Sequence, residues 1–239
     1  MNFHKLLVWL AILGLGFSSC QPDDEIVDYD CDEWTTICSD TTIVTDQTKA
    51  NRKVLIIGID GFRADAMQAS ISPFMFALAQ NNDTYFTDQN HVQELTFSGP
   101  NWSSLCTGVD FCKHTVTSND FDDNSIDVFP HFFKYLEQSR PQKNTVSIVN
   151  WTPINEHLAP PFADYAPTEN VNDHDVFLIA ANLLNQGSPL AADVLFLQFD
   201  ELDATGHDYG FNPNIPEYAN YITTLDGYID SLVSIVEAK

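Results

Sequence analysis

An α/β fold, with a mostly parallel sheet flanked by helices, is the architecture this sequence predicts, and three observations predict it. Residues 53–59 (Lys-Val-Leu-Ile-Ile-Gly-Ile) and 193–199 (Asp-Val-Leu-Phe-Leu-Gln-Phe) are nearly unbroken apolar runs of strand length. Such runs mark strands buried on both faces. Between them the apolar residues recur three and four apart, which is helical spacing. Strands that alternate with helices assemble into a parallel sheet with helical crossovers.

Taken in order, the first run predicts a strand over 53–59, and Thr145 to Val149 predicts another before the run at 193–199. Helical patterns cover Phe74 to Gln80, Val128 to Gln138 and Asp175 to Leu184. The last stretch has the clearest stripe: Tyr218, Ile222, Leu225, Ile229, Leu232, Val233 and Val236. No internal repeat is visible.

The 239 residues carry 10 Lys+Arg against 34 Asp+Glu, a formal charge of −24. That balance argues against binding to nucleic-acid backbone, which needs a basic face. With 44% hydrophobic and 12% aromatic residues, the chain can bury a real core.

Residues 1–19 have the parts of a signal peptide: a basic start, an apolar stretch and small residues before Cys20. A Cys after small residues resembles a bacterial lipoprotein signal, although an ordinary signal followed by a chance Cys is the other reading. Between Gln21 and Asp46 lie nine acids and no Lys or Arg, so residues 20–50 read as an acidic, solvated tether. Its first residues, Gln-Pro-Asp-Asp-Glu, are similar to export tags on surface lipoproteins of some Gram-negative bacteria, and a plain spacer reads equally well. The expectation is an exported protein, lipid-anchored to a bacterial cell envelope, with one domain over 51–239. Export permits disulfides, and two close pairs suggest themselves, Cys31 with Cys38 and Cys106 with Cys112.

Ligands of parallel sheets bind at the carboxyl ends of the strands. That rule directs attention to Asp60 and to the stretch from Asp200 to His207. Asp60, before Gly61, could cap a turn or offer a hard oxygen to a metal. Ser98, ahead of Pro100, fits a helix N-cap, where backbone N–H groups point at an anion. A metal or base that lowers its pKa would make it a nucleophile. Asp203 and His207, four apart, could converge on one ion. Alone, each is weak, and His114 and Asn119 are unremarkable.

Together and in order, these pieces resemble the alkaline-phosphatase superfamily, most closely its type I phosphodiesterase/nucleotide pyrophosphatase branch. Residues 54–65 (VLIIGIDGFRAD) are similar to the motif whose Asp binds one of two zinc ions, here Asp60. Ser98-Gly99-Pro100-Asn101 with Thr107-Gly108 resembles the nucleophile motif, which puts Ser98 at the nucleophile and metal-ligand position. Thr96 competes for that role, but its spacing to Thr107-Gly108 is less suitable. The resemblance gives Asp203 and His207 to the other zinc, and gives Asn119 and the Gly99 N–H to the phosphoryl oxygens. It implies two divalent metal ions, zinc by family habit, a phosphoryl-Ser98 intermediate, and hydrolysis of a small phosphate ester (nucleotide or related). A sulfatase motif would want Arg where Trp102 stands.

The resemblance also implies a later Asp-His-Gly and a final His that this chain does not contain. Asp173-His174-Asp175 lacks the Gly. Two ligands per ion are too few for tight zinc binding. The expectation is therefore a catalytic domain truncated at its C-terminus, binding zinc poorly and inactive as it stands, with an inner strand left as an open edge. The alternative is a non-catalytic surface lipoprotein that binds a phosphorylated ligand. Trp102, Trp151 and Tyr209 could stack on a base, although buried aromatics more often serve a core.

Overall fold

A computed structural model describes residues 53–88, 91–185 and 192–238. The expected signal peptide, tether and Cys31–Cys38 bridge lie outside these residues.

Three strands, β1 (Val54–Ile59), β2 (Thr145–Val149) and β3 (Val194–Phe199), form a parallel sheet in the order β1-β3-β2. Val194 pairs with both Val54 and Thr145, so all three strands start level, and β2 ends one residue before the other two. Residues of period two divide the apolar side chains between two cores. Leu195, Leu197 and Phe199 join Val146 and Ile148 on one face, beneath helices α5 (Asp173–Leu184), α6 (Glu201–Tyr209) and α7 (Pro216–Glu237). On the other face Phe196 and Val149 meet Trp102 and Cys106 of α2 (Ser98–Thr107) and Phe133 of α4 (Phe132–Ser139). Two short helices are α1 (Pro73–Ala79) and α3 (Phe111–His114).

The predicted strands match within a residue. The helix expected over 128–138 starts only at Phe132, because Pro130 breaks the pattern and the His131 ring caps the new start by accepting from the Phe133 N–H at 3.1 Å. In α7 the predicted stripe is buried from Tyr218 to Leu232, while Val236 stays 43% exposed.

The Cys106–Cys112 bridge does not form. Cys106 is a free thiol buried inside α2, and Cys112 is disulfide-bonded elsewhere. The side chain of Cys106 is buried in the core cluster that holds Trp102.

The edges of the sheet differ. Beside β2, the Ser147 N–H donates to the Tyr165 carbonyl and the Tyr165 N–H to that of Thr145, which covers this edge. In β1 the Val54 and Asp60 amides donate to β3, so the even residues point inward and the N–H and C=O groups of Leu55, Ile57 and Ile59 point outward. Among the described residues nothing pairs with that outer edge. No helix among the described residues is long and apolar enough to cross a membrane.

Candidate active site

The order β1-β3-β2 brings Asp60 and Asp200 to adjacent strand ends, with the Asp60 N–H donating to the Phe199 carbonyl at 2.9 Å. Asp60 accepts from the Gly61 N–H on Oδ1 and from the Trp102 indole on Oδ2, each at 2.9 Å. Gly58 makes the second bond possible, because a Cβ there would sit 2.3 Å from the Trp102 ring. Gly61 has φ +70°, and a Cβ on it would sit 2.6 Å from the Asp203 Cα. The turn after β1 thus lies directly against α6.

In helix α2, Trp102 lies one helical turn beyond Ser98 on the same face, and its bond to Asp60 fastens that helix to the end of β1. Ser98 is the first residue of the helix, and Phe97, not Ser98, is the N-cap. Its half-buried hydroxyl has no hydrogen-bond partner among the described residues and is not spent on capping. The other residues of the motif hold the helix start. Asn101 donates to the Leu95 and Phe97 carbonyls and accepts from the Gln93 N–H, which fastens the preceding loop.

Asn119 reaches the same turn, with Oδ1 accepting from the Gly99 N–H at 2.8 Å. This corrects the expected role of Gly99: its N–H is engaged by Asn119 and not free for a phosphoryl oxygen, which leaves the Asn119 NH2 as the donor this pair can present. Gly is required here, since a Cβ would meet the Ser118 carbonyl oxygen at 2.3 Å. Buried His114 supports the arrangement. Its Nδ1 accepts from the Val116 N–H, so its Nε2–H faces Ser104 Oγ at 2.9 Å.

Across the rim, His207 Nε2 lies 3.3 Å from Asp203 Oδ2 on successive turns of α6. Burial and the charge of Asp60 hold the Asp203 carboxyl above its ordinary range, with His207 pulling the other way. Asp200 is pushed up to about 7 by burial and by the charges of Asp60, Asp203 and Asp173, against a hydrogen bond from Gln198. Among the described residues no Lys or Arg pairs with Asp60, Asp200 or Asp203.

Uncompensated carboxylates beside one imidazole are the donor chemistry of a divalent cation. The number of donors falls short, since among the described residues no three His, Cys, Asp or Glu side chains converge as an ion holder. Asp60 and Asp203 share one rim, and His207 joins through Asp203. The strand-end rule directed attention to the stretch that begins at Asp200, but sequence reasoning gave Asp200 itself no role. It also missed Trp102 as the partner of Asp60, which no local pattern reveals.

Of the solved structures similar to this chain, mouse ectonucleotide pyrophosphatase/phosphodiesterase 5 superposes with a TM-score of 0.62 at 20% identity, covering 78% of this chain and 53% of its own. An inactive variant of that protein in complex with AMP gives 0.61 at 20% identity, with the same coverage of 78% and 53%. Phosphonoacetate hydrolase from Sinorhizobium meliloti, in complex with phosphonoformate, gives 0.56 at 16% identity, covering 77% of this chain and 54% of its own. The chain therefore spans about half the length of these structures. No curated protein matches it. Residues 54–239 match the family described as type I phosphodiesterase/nucleotide pyrophosphatase, and the chain belongs to that family, within the alkaline-phosphatase superfamily.

Proposed function

We propose that this protein is a metal-dependent phosphate-ester hydrolase in which Ser98 is the nucleophile. The observation that carries the reading is the Trp102–Asp60 bond, which joins the helix that presents Ser98 to the carboxylates of the strand ends. Asp60 and Ser98 would hold one divalent ion, Asp203 and His207 the other, and zinc fits this mixed oxygen and nitrogen set. Bound ions would lower the pKa of the Ser98 hydroxyl and neutralise phosphoryl charge. The side chains then divide the work. Ser98 Oγ, its proton lost to solvent, would attack phosphorus as the P–O bond to the leaving group breaks and that alkoxide takes a proton from water. Water would then cleave the P–O bond to Ser98, returning the Ser98 hydroxyl and releasing phosphate from a monoester or a phosphomonoester from a diester. The Asn119 amide donates to a phosphoryl oxygen, which stabilises charge as it develops.

The substrate class is a small phosphate ester, and AMP in the mouse relative makes a nucleotide the first to test. Two side chains per ion are fewer than the three or four of a tight zinc site, so in this reading residues 20–239 turn over slowly. The reading includes export and a lipid anchor, supported by the resemblance of residues 1–20 to a lipoprotein signal.

Turnover of a nitrophenyl phosphodiester with added zinc tests the assignment. Whatever rate the wild-type protein shows is expected to vanish in Ser98→Ala and to persist in Thr96→Ala. The same rate in Ser98→Ala and wild type removes the nucleophile assignment. Because no three-donor group is assembled among the described residues, a non-catalytic reading stands second: tight AMP binding without Ser98-dependent turnover would favour it.

A further inference from the structure

Asp173 is fully buried, and among the described residues no Lys or Arg pairs with it. Its Oδ1 accepts from the Asn150 side-chain amide at 2.8 Å and from the Asp200 N–H at 2.9 Å. Its Oδ2 accepts from the Glu201 N–H at 3.1 Å and lies 3.0 Å from the Tyr221 hydroxyl. That hydroxyl is shared with Glu201 Oε2 at 2.7 Å, the same atom that accepts from the Asp173 N–H at 3.1 Å. One carboxylate therefore ties the first turn of α5 to the end of β2, the end of β3, the start of α6 and the second turn of α7. Both of its oxygens are spent on protein donors, and His174 points to the Tyr228 hydroxyl at 3.2 Å. The Asp-His pair at 173–174 is thus no ligand motif.

Helix α6 needs this help. Its N-cap, Asp200, makes no side-chain cap bond, and the Asp200 side chain is turned to Gln198 instead. A helix start whose N–H groups lack an acceptor is destabilised and free to change direction. Asp173 supplies the acceptor from another helix, and so sets where α6 leaves the sheet. Asp203 and His207 sit on that helix within its first two turns.

We infer that Asp173 is a positioning residue: it caps α6 in trans and fixes Asp203 and His207 relative to Asp60. The inference rests on the hydrolase reading only where it concerns metal. Asn in its place presents NH2 to N–H donors at one oxygen position and leaves them unpaired. Neighbours that orient metal ligands commonly change affinity by about 10–100-fold.

Two measurements test it. Amide hydrogen exchange on residues 20–239 is expected to quicken at least tenfold at Asp200 and Glu201 in Asp173→Asn, with α2 unchanged. Asn150→Ala removes a single donor and leaves the charge in place, so it carries the test if Asp173→Asn does not fold; the expected change is smaller and confined to 200–207. Unchanged exchange at 200–207, or a change spread evenly over the domain, overturns the inference. In the second measurement, Mn2+ affinity is read from the paramagnetic signal of free ion, and a fall of about 10–100-fold in the variant is expected. Equal affinity in wild type and variant overturns the positioning role. Absence of Mn2+ binding in wild type counts against the metal-dependent reading, and exchange alone then decides the role of Asp173.

Discussion

Gly61 and Gly108 both adopt positive φ, +70° and +74°, yet they should respond differently to a side chain. Nothing lies within 4 Å of a Cβ at Gly108, so Gly108→Ala costs only the left-handed conformation, about 1–2 kcal/mol. At Gly61 the same strain is added to a collision with the Asp203 backbone. Gly61→Ala should cost about 2–4 kcal/mol in urea unfolding and separate Asp203 from Asp60. Equal costs at the two positions would show that the approach of Asp203 does not matter. The sequence displays Asp-Gly at the strand end and suggests a tight turn there. It does not display the reason for the Gly, which is a residue of α6.

His131 gives a pH prediction at the same scale. Burial lowers its pKa from 6.5 to about 3, and its Nε2 has no partner among the described residues. The unfolded chain therefore binds a proton between these values while the folded chain does not. Stability from the neutral ring is fully present above about pH 6.5 and is lost as pH falls toward 3, by roughly 3–5 kcal/mol. His131→Asn keeps an acceptor for the Phe133 N–H without a titrating ring. Denaturation midpoints from pH 7 to pH 4 should fall less steeply in this variant than in wild type, and parallel curves would refute the assignment.

At the scale of elements, α7 was the most legible helix, yet its polar residues do as much as its stripe. Asp226 is buried and its two oxygens accept the Phe74 and Met75 N–H groups at 2.9 and 2.8 Å, capping α1 from across the fold. The local N-cap of α1, Ser72, makes no such bond. Tyr218 donates to the Gly61 carbonyl and accepts from the Arg63 N–H, and so braces the turn beyond Asp60. Periodicity could show which face of α7 is apolar, since that depends on near neighbours alone. It could not show what Asp226 caps. Asp226→Ala should lose about 1–3 kcal/mol and speed exchange at Phe74 and Met75 first. A loss of stability without that local signature would mean the cap is not the cause.

For the whole molecule, charge and the β1 edge, which is unpaired among the described residues, matter most. A formal charge of −24 makes the compact state repel itself, and salt screens that repulsion. Melting temperature should rise between 0.02 and 0.5 M NaCl, values on the scale where screening changes strongly; a flat response would mean the charges are too dispersed to matter. On β1 the outward amides of Leu55 and Ile57 should exchange faster than the inward ones of Ile56 and Gly58, because β3 protects only the inward set. Uniform protection along β1 would mean that something covers the edge.

The sequence by itself determined the strands, the apolar stripes of the helices, and the motifs at Asp60, Ser98 and Asp203/His207. These follow from the short-range periods of strand and helix and from residue chemistry in fixed spacing. Only the tertiary structure decided that β3 lies between β1 and β2, and that Trp102 meets Asp60 while Asp203 lies against Gly61. The same holds for the burial of Asp173 among donors from four other elements. Strand order selects these partners, and residues distant along the chain carry no mutual signal until the sheet brings them together.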